Sequence, residues 1–201
     1  MNLAILISGR GSNLEAILRA IAEGRLEATP TLVVTNRPGA SGLEHARRRG
    51  VATAVLPHGE FSDRRAYEVA LVELLRSHGT DTVALAGFDR LVTPILLGAF
   101  AGRVVNVHPA LLPAFPGLHA QKQALDYGVR FSGATVHFVD EQMDHGAIIA
   151  QAAVPVLDDD TEETLAARIL SEEHRIYPLA LQRLARGELR LEGRRVLGGD
   201  P

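Results

Sequence analysis

The sequence predicts an α/β protein: a Rossmann-like, mostly parallel sheet with helices on both faces and an antiparallel strand pair in the C-terminal half. Three observations predict it. Short apolar runs alternate with helical stretches through the first hundred residues, the pattern of successive βαβ units. The first apolar run, Leu3 to Ile7, empties into a glycine-rich turn that opens a helix. Near the end, two strand-like runs are joined by the polar link 140–146, too short for a parallel crossover and suited to antiparallel pairing.

Leu3 to Ile7 is apolar throughout, as expected of a central strand covered on both faces. Leu14, Ile17, Leu18 and Ile21 then repeat at i, i+3, i+4, i+7, the apolar stripe of a helix, with Gly24 as its stop. A second strand is predicted over Thr31 to Thr35, a helix from Ser41 to Arg49 and a third strand from Val51 to Leu56. Ser62 or Asp63 opens a helix reaching Ser77 through Ala66, Ala70, Leu71, Leu74 and Leu75. Thr82 to Ala86 and Arg103 to Val107 supply the fourth and fifth strands. Pro109, Pro113 and Pro116 then impose a shaped loop. The two late strands span Ala134 to Val139 and Ala147 to Val154. A helical pattern from Thr161 is interrupted before Pro178 and ends near Gly187. No repeat, linker or low-complexity tract divides the 201 residues, so one domain is expected.

Composition narrows the function classes. The net charge is −3, from 21 basic and 24 acidic residues, which favours no nucleic-acid partner. No stretch approaches the ~20 apolar residues of a membrane span, and no signal peptide is read at the N-terminus. With no cysteine, a disulfide scaffold, a thiolate nucleophile and a cysteine-ligated metal are all excluded. The histidines show no metal-ligand spacing, so no metal is expected. A cytoplasmic soluble domain is expected within these limits.

Four places can carry chemistry. In Ser8-Gly9-Arg10-Gly11-Ser12-Asn13, glycines let a backbone approach a ligand and the following helix N-terminus favours an anion. Ser12 and Glu15 also make an S-x-x-E capping box, and the two readings are compatible. Asn106 and His108 sit two apart on a strand and so share a face, at the carboxyl end where open α/β sheets bind ligands. A buried structural Asn–His pair is the alternative. Asp144, two residues before Gly146, reads locally as a turn former more than as a catalytic group. Arg64, in the first turn of its helix, reads locally as a solvated cation. Asp158 to Asp160 read as a solvated loop before a helix, and His45, His58 and His78 as solvated.

Together these segments resemble the phosphoribosylglycinamide formyltransferases. Ser8 to Leu14 is similar to that family's phosphate loop. Asn106-Val107-His108-Pro109-Ala110-Leu111-Leu112-Pro113 resembles the catalytic strand and loop of transferases using 10-formyltetrahydrofolate. Gly133 to Asp140, running on through Met143-Asp144-His145-Gly146, resembles the segment with the family's catalytic aspartate. The likeness continues through Glu172 to Pro178.

The resemblance implies the formyltransferase fold and a set of roles. Gly11, Ser12 and Asn13 would hold the ribose phosphate of phosphoribosylglycinamide, and Glu173 its ribose hydroxyls. Arg64, Asp89, Arg90, Leu91, Val92, Asn106, Asp140 and Asp144 would bind the folate. Asn106, His108 and Asp144 would be catalytic, with 10-formyltetrahydrofolate as co-substrate. Residues 1–100 would form a nucleotide-phosphate half and 101–201 a catalytic, folate-binding half of one domain. Formyltetrahydrofolate hydrolase, or another transferase using the same donor, is the alternative. Two departures stand out: Asp89 where the family often has Met, and Ala114 where some relatives place Lys, with Arg10 as a possible substitute cation in the phosphate loop. An Asn106 amide and a protonated His108 suit a tetrahedral oxyanion, and a carboxylate at Asp144 would favour the charged imidazole.

Overall fold

The structure is a computed structural model and describes residues 1–198. The chain separates into two compact units, Met1–Val105 and the remainder from Asn106.

In the first unit the strands are β1 (Asn2–Ile7), β2 (Thr29–Thr35), β3 (Thr53–Val55) and β4 (Thr82–Leu85), in the order β3-β2-β1-β4. All three pairings are parallel. The apolar run chosen for a central strand is indeed central: Leu3 to Ile7 are fully buried. Helices α1 (Ser12–Ala22), α2 (Leu43–Arg47) and α3 (Arg64–Ser77) provide the crossovers, and α4 (Pro94–Ala99) follows β4. Asp63, not Ser62, caps α3, its side chain accepting from the Ala66 N–H at 2.8 Å. The short α4 escaped the sequence reading, although Thr93-Pro94 is an N-cap followed by a first-turn proline.

A buried carboxylate fixes the start of α4. Glu68, on α3 and 2% exposed, accepts from the Thr93 N–H (2.8 Å), the Thr93 hydroxyl (2.5 Å) and the Leu96 N–H (3.3 Å). Negative charge at a helix N-terminus is favourable, and each bond satisfies a group that would otherwise be orphaned.

The second unit carries the carboxyl end of β5 (Val104–His108), then α5 (Ala120–Tyr127), β6 (Phe131–Phe138), β7 (Ile148–Pro155), α6 (Glu162–Ala185) and a hairpin of β8 (Arg190–Glu192) and β9 (Arg195–Leu197). The strand order is β5-β6-β7-β9-β8. β6 and β7 pair antiparallel, as their short link requires. The architecture is thus mostly parallel α/β with an antiparallel pair in the C-terminal half.

Two expectations fail here. First, α6 is not interrupted: it runs 24 residues through Pro178. A mid-helix proline costs ~3 kcal/mol. Ile176, Tyr177, Pro178, Ala180 and Leu181 are all buried, on a helix that packs over β6 and β7. Each such large apolar side chain contributes ~1.5–3 kcal/mol, so packing outweighs the local penalty. Second, Asp160 is not solvated. Its side chain is 2% exposed and accepts from Arg168 (2.7 and 2.8 Å), the Leu157 N–H (2.8 Å) and the Thr164 hydroxyl (2.8 Å), which holds its carboxyl far below the usual range. Thr161 caps the same helix end.

Candidate active site

The glycine-rich turn lies between β1 and α1, but it is not closed by the predicted capping box. The N-cap position is Gly11, with φ +72°, and no side chain caps the helix. Glu15 is engaged elsewhere, accepting from Arg49 at 2.6 and 2.8 Å with His45 Nδ1 at 2.7 Å. His45 is therefore paired, not solvated, and the Arg49 guanidinium holds the Glu15 carboxyl below its ordinary value. With its own carboxylate turned to Arg49, the positive end of α1 has no side-chain acceptor, the condition an anion site needs.

A second glycine completes the turn. Gly42 donates from its N–H to the Gly9 carbonyl at 3.1 Å. A Cβ on Gly11 would come within 2.9 Å of the Gly42 Cα, and one on Gly42 within 2.7 Å of the Ile7 side chain. The loop shape thus depends on backbone against backbone. Gly11→Val is expected to displace the loop, since a branched residue also resists φ +72°. Affinity for a phosphate ligand should fall by tenfold or more, measured by calorimetry, with the melting temperature only modestly lower.

The second unit brings together the three residues proposed for chemistry. His108, at the end of β5 and 4% exposed, donates from Nε2 to the Phe115 carbonyl at 2.8 Å. Its Nδ1 lies 3.3 Å from Asp144 Oδ2. Both ring nitrogens therefore face acceptors. Asp144 Oδ2 also accepts from the Gly117 N–H at 2.8 Å. Phe115 and Asp144, which flank His108, both adopt left-handed φ (54° and 51°), as does His119 at 57°. Such conformations in residues other than glycine cost ~1–3 kcal/mol each and gather at functional sites.

His137 joins the set unannounced by the sequence. Its Nδ1 donates to the Phe138 carbonyl at 2.8 Å, which leaves Nε2 to accept from Asn106 Nδ2 at 3.2 Å. That bond uses one amide proton of Asn106 and leaves the other to bind a ligand. Asp144 Oδ1 stands 3.8 Å from the same Nε2. The period-two argument found Asn106 and His108. The sequence signal for His137 is an ionisable side chain inside the strand-like run of β6.

The proline-shaped loop after β5 is fastened by Thr135, another residue the sequence did not single out. Its hydroxyl donates to the Ala110 carbonyl (2.6 Å) and accepts from the Leu112 N–H (3.0 Å) and Gln151 Nε2 (3.0 Å). Gln151 also donates to the Leu112 carbonyl at 2.9 Å. These bonds set the path to Phe115, whose carbonyl holds His108.

The other predicted residues scatter. Arg64 begins α3 and is exposed. Arg90, Leu91 and Val92 lie in the irregular segment before α4, with Leu91 52% exposed. Asp140 is occupied by the His145 imidazole at 2.7 Å, which Arg194 in turn meets at 2.9 Å, and it does not reach the His108 cluster directly. Glu173 is buried on α6. Among the described residues no group of three or more acidic or histidine side chains is placed to hold a metal ion, and no helix is long and apolar enough to cross a membrane.

Residues 1–181 match the family described as formyl transferase. The chain belongs to the formyl transferase family. This formyl transferase is 43% identical over 191 residues to the phosphoribosylglycinamide formyltransferase of Escherichia coli, covering 95% of this chain and 90% of that one. It is 46% identical over 186 residues to the trifunctional purine biosynthetic protein adenosine-3 of Drosophila melanogaster, spanning 92% of this chain but 14% of that protein. Among solved structures, the glycinamide ribonucleotide transformylase 1 of Symbiobacterium toebii superposes with a TM-score of 0.96 at 52% identity, covering 98% of this chain and 92% of that one. The formyltransferase fold is thereby shown.

One consequence of the site is a pH dependence of stability. Burial pushes the His137 imidazole below its ordinary value near 6.5, helped by the charge of His108 and outweighing the Phe138 carbonyl and Asp144. Between the folded and unfolded values the unfolded chain binds the extra proton, so stability falls as pH drops below about 6.5. The urea midpoint of this formyl transferase should decrease from pH 7 to 5.5, and His137→Gln should flatten that slope. Identical slopes in the two proteins would remove His137 as the cause.

Proposed function

We propose that this formyl transferase passes the formyl group of 10-formyltetrahydrofolate to the amine of phosphoribosylglycinamide, yielding formylglycinamide ribonucleotide and tetrahydrofolate in purine synthesis. The observation that carries the chemistry is the His108 imidazole held between two acceptors beside the Asn106 amide. The choice of acceptor substrate is supported by relatives of similar length that bear that name.

Each residue then has a task. The amine lone pair attacks the formyl carbon, and the carbonyl π electrons move onto oxygen. The free N–H of Asn106 binds that oxyanion, a contribution worth ~10²–10³ in rate when made by a comparable donor. As the carbon–N10 bond breaks, N10 takes a proton and the former amine loses one, so no net proton is consumed. Asp144 stabilises the imidazolium, and the His108 Nε2–H that rests on the Phe115 carbonyl is the proton available for transfer. Gly11, Ser12 and Asn13 bind the phosphate at the α1 N-terminus, with Arg10 a nearby cation, and Glu173 takes the ribose hydroxyls. Arg64, Asp140 and the backbone of 89–92 bind the folate. The test is a product assay with both substrates: formylglycinamide ribonucleotide supports the reading, whereas free formate alone would identify a hydrolase and overturn it.

A further inference from the structure

We propose that Asp89 is a positioning residue that staples the segment 88–92 to the ends of β1 and β2 and so preorganises it for the formyl donor. The proposal rests on the reading that this segment binds the folate.

Between Gly87 and Thr93 the backbone has no regular structure. Its two ends are anchored: the Gly87 carbonyl accepts from the Ser8 N–H at 3.0 Å, and Thr93 is held by Glu68. Within 88–92, every hydrogen bond among the described residues belongs to Asp89. The Asp89 N–H donates to Ser8 Oγ at 2.9 Å. Its Oδ1 lies 2.8 Å from the Ser8 hydroxyl and accepts from Asn36 Nδ2 at 2.9 Å, and its Oδ2 accepts from the Arg37 guanidinium. Asn36 Oδ1 is 2.6 Å from the same Ser8 hydroxyl, whose single proton serves one acceptor at a time. Burial raises the carboxyl of Asp89, but the donors of Asn36, Ser8 and Arg37 outweigh it and hold the group ionised.

The sequence raised Asp89 as a misplaced carboxylate beside a folate site. Its charge is instead neutralised by Arg37 and its oxygens are taken up internally, so the residue faces away from ligand recognition and towards loop shape. The staple meets the glycine turn only at its first residue, Ser8, whereas Gly9 and Gly11 are held by Gly42. Loss of Asp89 should therefore act on one ligand and spare the other.

The experiment compares wild type with Asp89→Ala and Asp89→Asn by titration calorimetry with tetrahydrofolate, steady-state kinetics and melting temperature. Asp89→Ala is expected to weaken tetrahydrofolate binding and raise the formyl-donor KM about tenfold, equivalent to ~1.4 kcal/mol and close to the cost of ordering one residue's backbone. The phosphoribosylglycinamide KM and kcat at saturation should stay within about twofold. Asp89→Asn keeps an oxygen for Ser8 and Asn36 while losing the Arg37 pair, so it should recover most of the affinity. It also serves as the measurement if the alanine variant does not fold. A fall in melting temperature with unchanged tetrahydrofolate affinity would overturn the proposal, as would an equal rise in both KM values. If wild type itself does not bind tetrahydrofolate, the formyl-donor reading fails and the staple's proposed purpose fails with it.

Discussion

His108→Ala should lower kcat by about 10²–10⁴, the range expected when a general acid is removed, while affinity for phosphoribosylglycinamide stays within a few-fold. In the role proposed for it the imidazole acts on charge that exists only during reaction, so its loss belongs in kcat rather than in ground-state binding. Two side effects must be separated from this. The residue is 4% exposed, so alanine leaves a cavity, and the Phe115 carbonyl loses its donor. Both would lower the melting temperature. His108→Gln supplies the control, because an amide can donate to Phe115 yet cannot act as an acid at neutral pH. If the glutamine variant keeps turnover near wild type, proton transfer by His108 is wrong. A drop in phosphoribosylglycinamide affinity matching the drop in kcat would make the residue a binding group.

The parallel half of the fold was legible because its signals are local. An apolar run such as Leu3 to Ile7 has few fates other than a buried strand, and the stripe from Leu14 to Ile21 repeats at one period only. The antiparallel pair was legible from the brevity of its link. Pro178 was misread because its penalty is local whereas the burial of Tyr177 and Leu181 that outweighs it is tertiary. The hairpin at 190–197 is short and mostly exposed, and the helix Ala120–Tyr127 is only about two turns long, so no apolar period announces them.

The site divides along the same line. Strand periodicity put Asn106 and His108 on one face, and the resemblance supplied Asp144. What brings Asp144 to 3.3 Å from His108 is a bond to the Gly117 backbone and a left-handed turn, neither of which a residue type encodes. The roles of Phe115 and Gly42 are likewise played by main chain. The capping box failed for a related reason: Glu15 had partners thirty residues away that a local motif cannot see. Asp89 was visible as an anomaly, and only its partners just after β1 and β2 turned the anomaly into a staple.

Asp144→Asn should lower kcat by about 10²–10³, the scale of losing one electrostatic contact to a transition state, with both KM values nearly unchanged. The substitution is chosen because it alters charge and little else. Asparagine tolerates the left-handed φ of 51° better than other residues, and its amide oxygen can still accept from the Gly117 N–H. What disappears is the negative charge beside His108 Nδ1 in a pocket where the aspartate side chain is only 12% exposed. Little solvent is present to replace that charge, so the electrostatic contact proposed for the reacting centre is lost. Asp144→Gly distinguishes charge from backbone. It accepts the same φ, removes the carboxylate and should match the asparagine variant in kcat. Asp144→Ala should lose melting temperature as well, because alanine lacks the polar side chain that eases a left-handed φ and accepts from the Gly117 N–H. If Asp144→Asn retains wild-type kcat while Asp144→Ala unfolds more easily, Asp144 is a turn residue fastening Gly117, and the electrostatic role proposed for it is wrong.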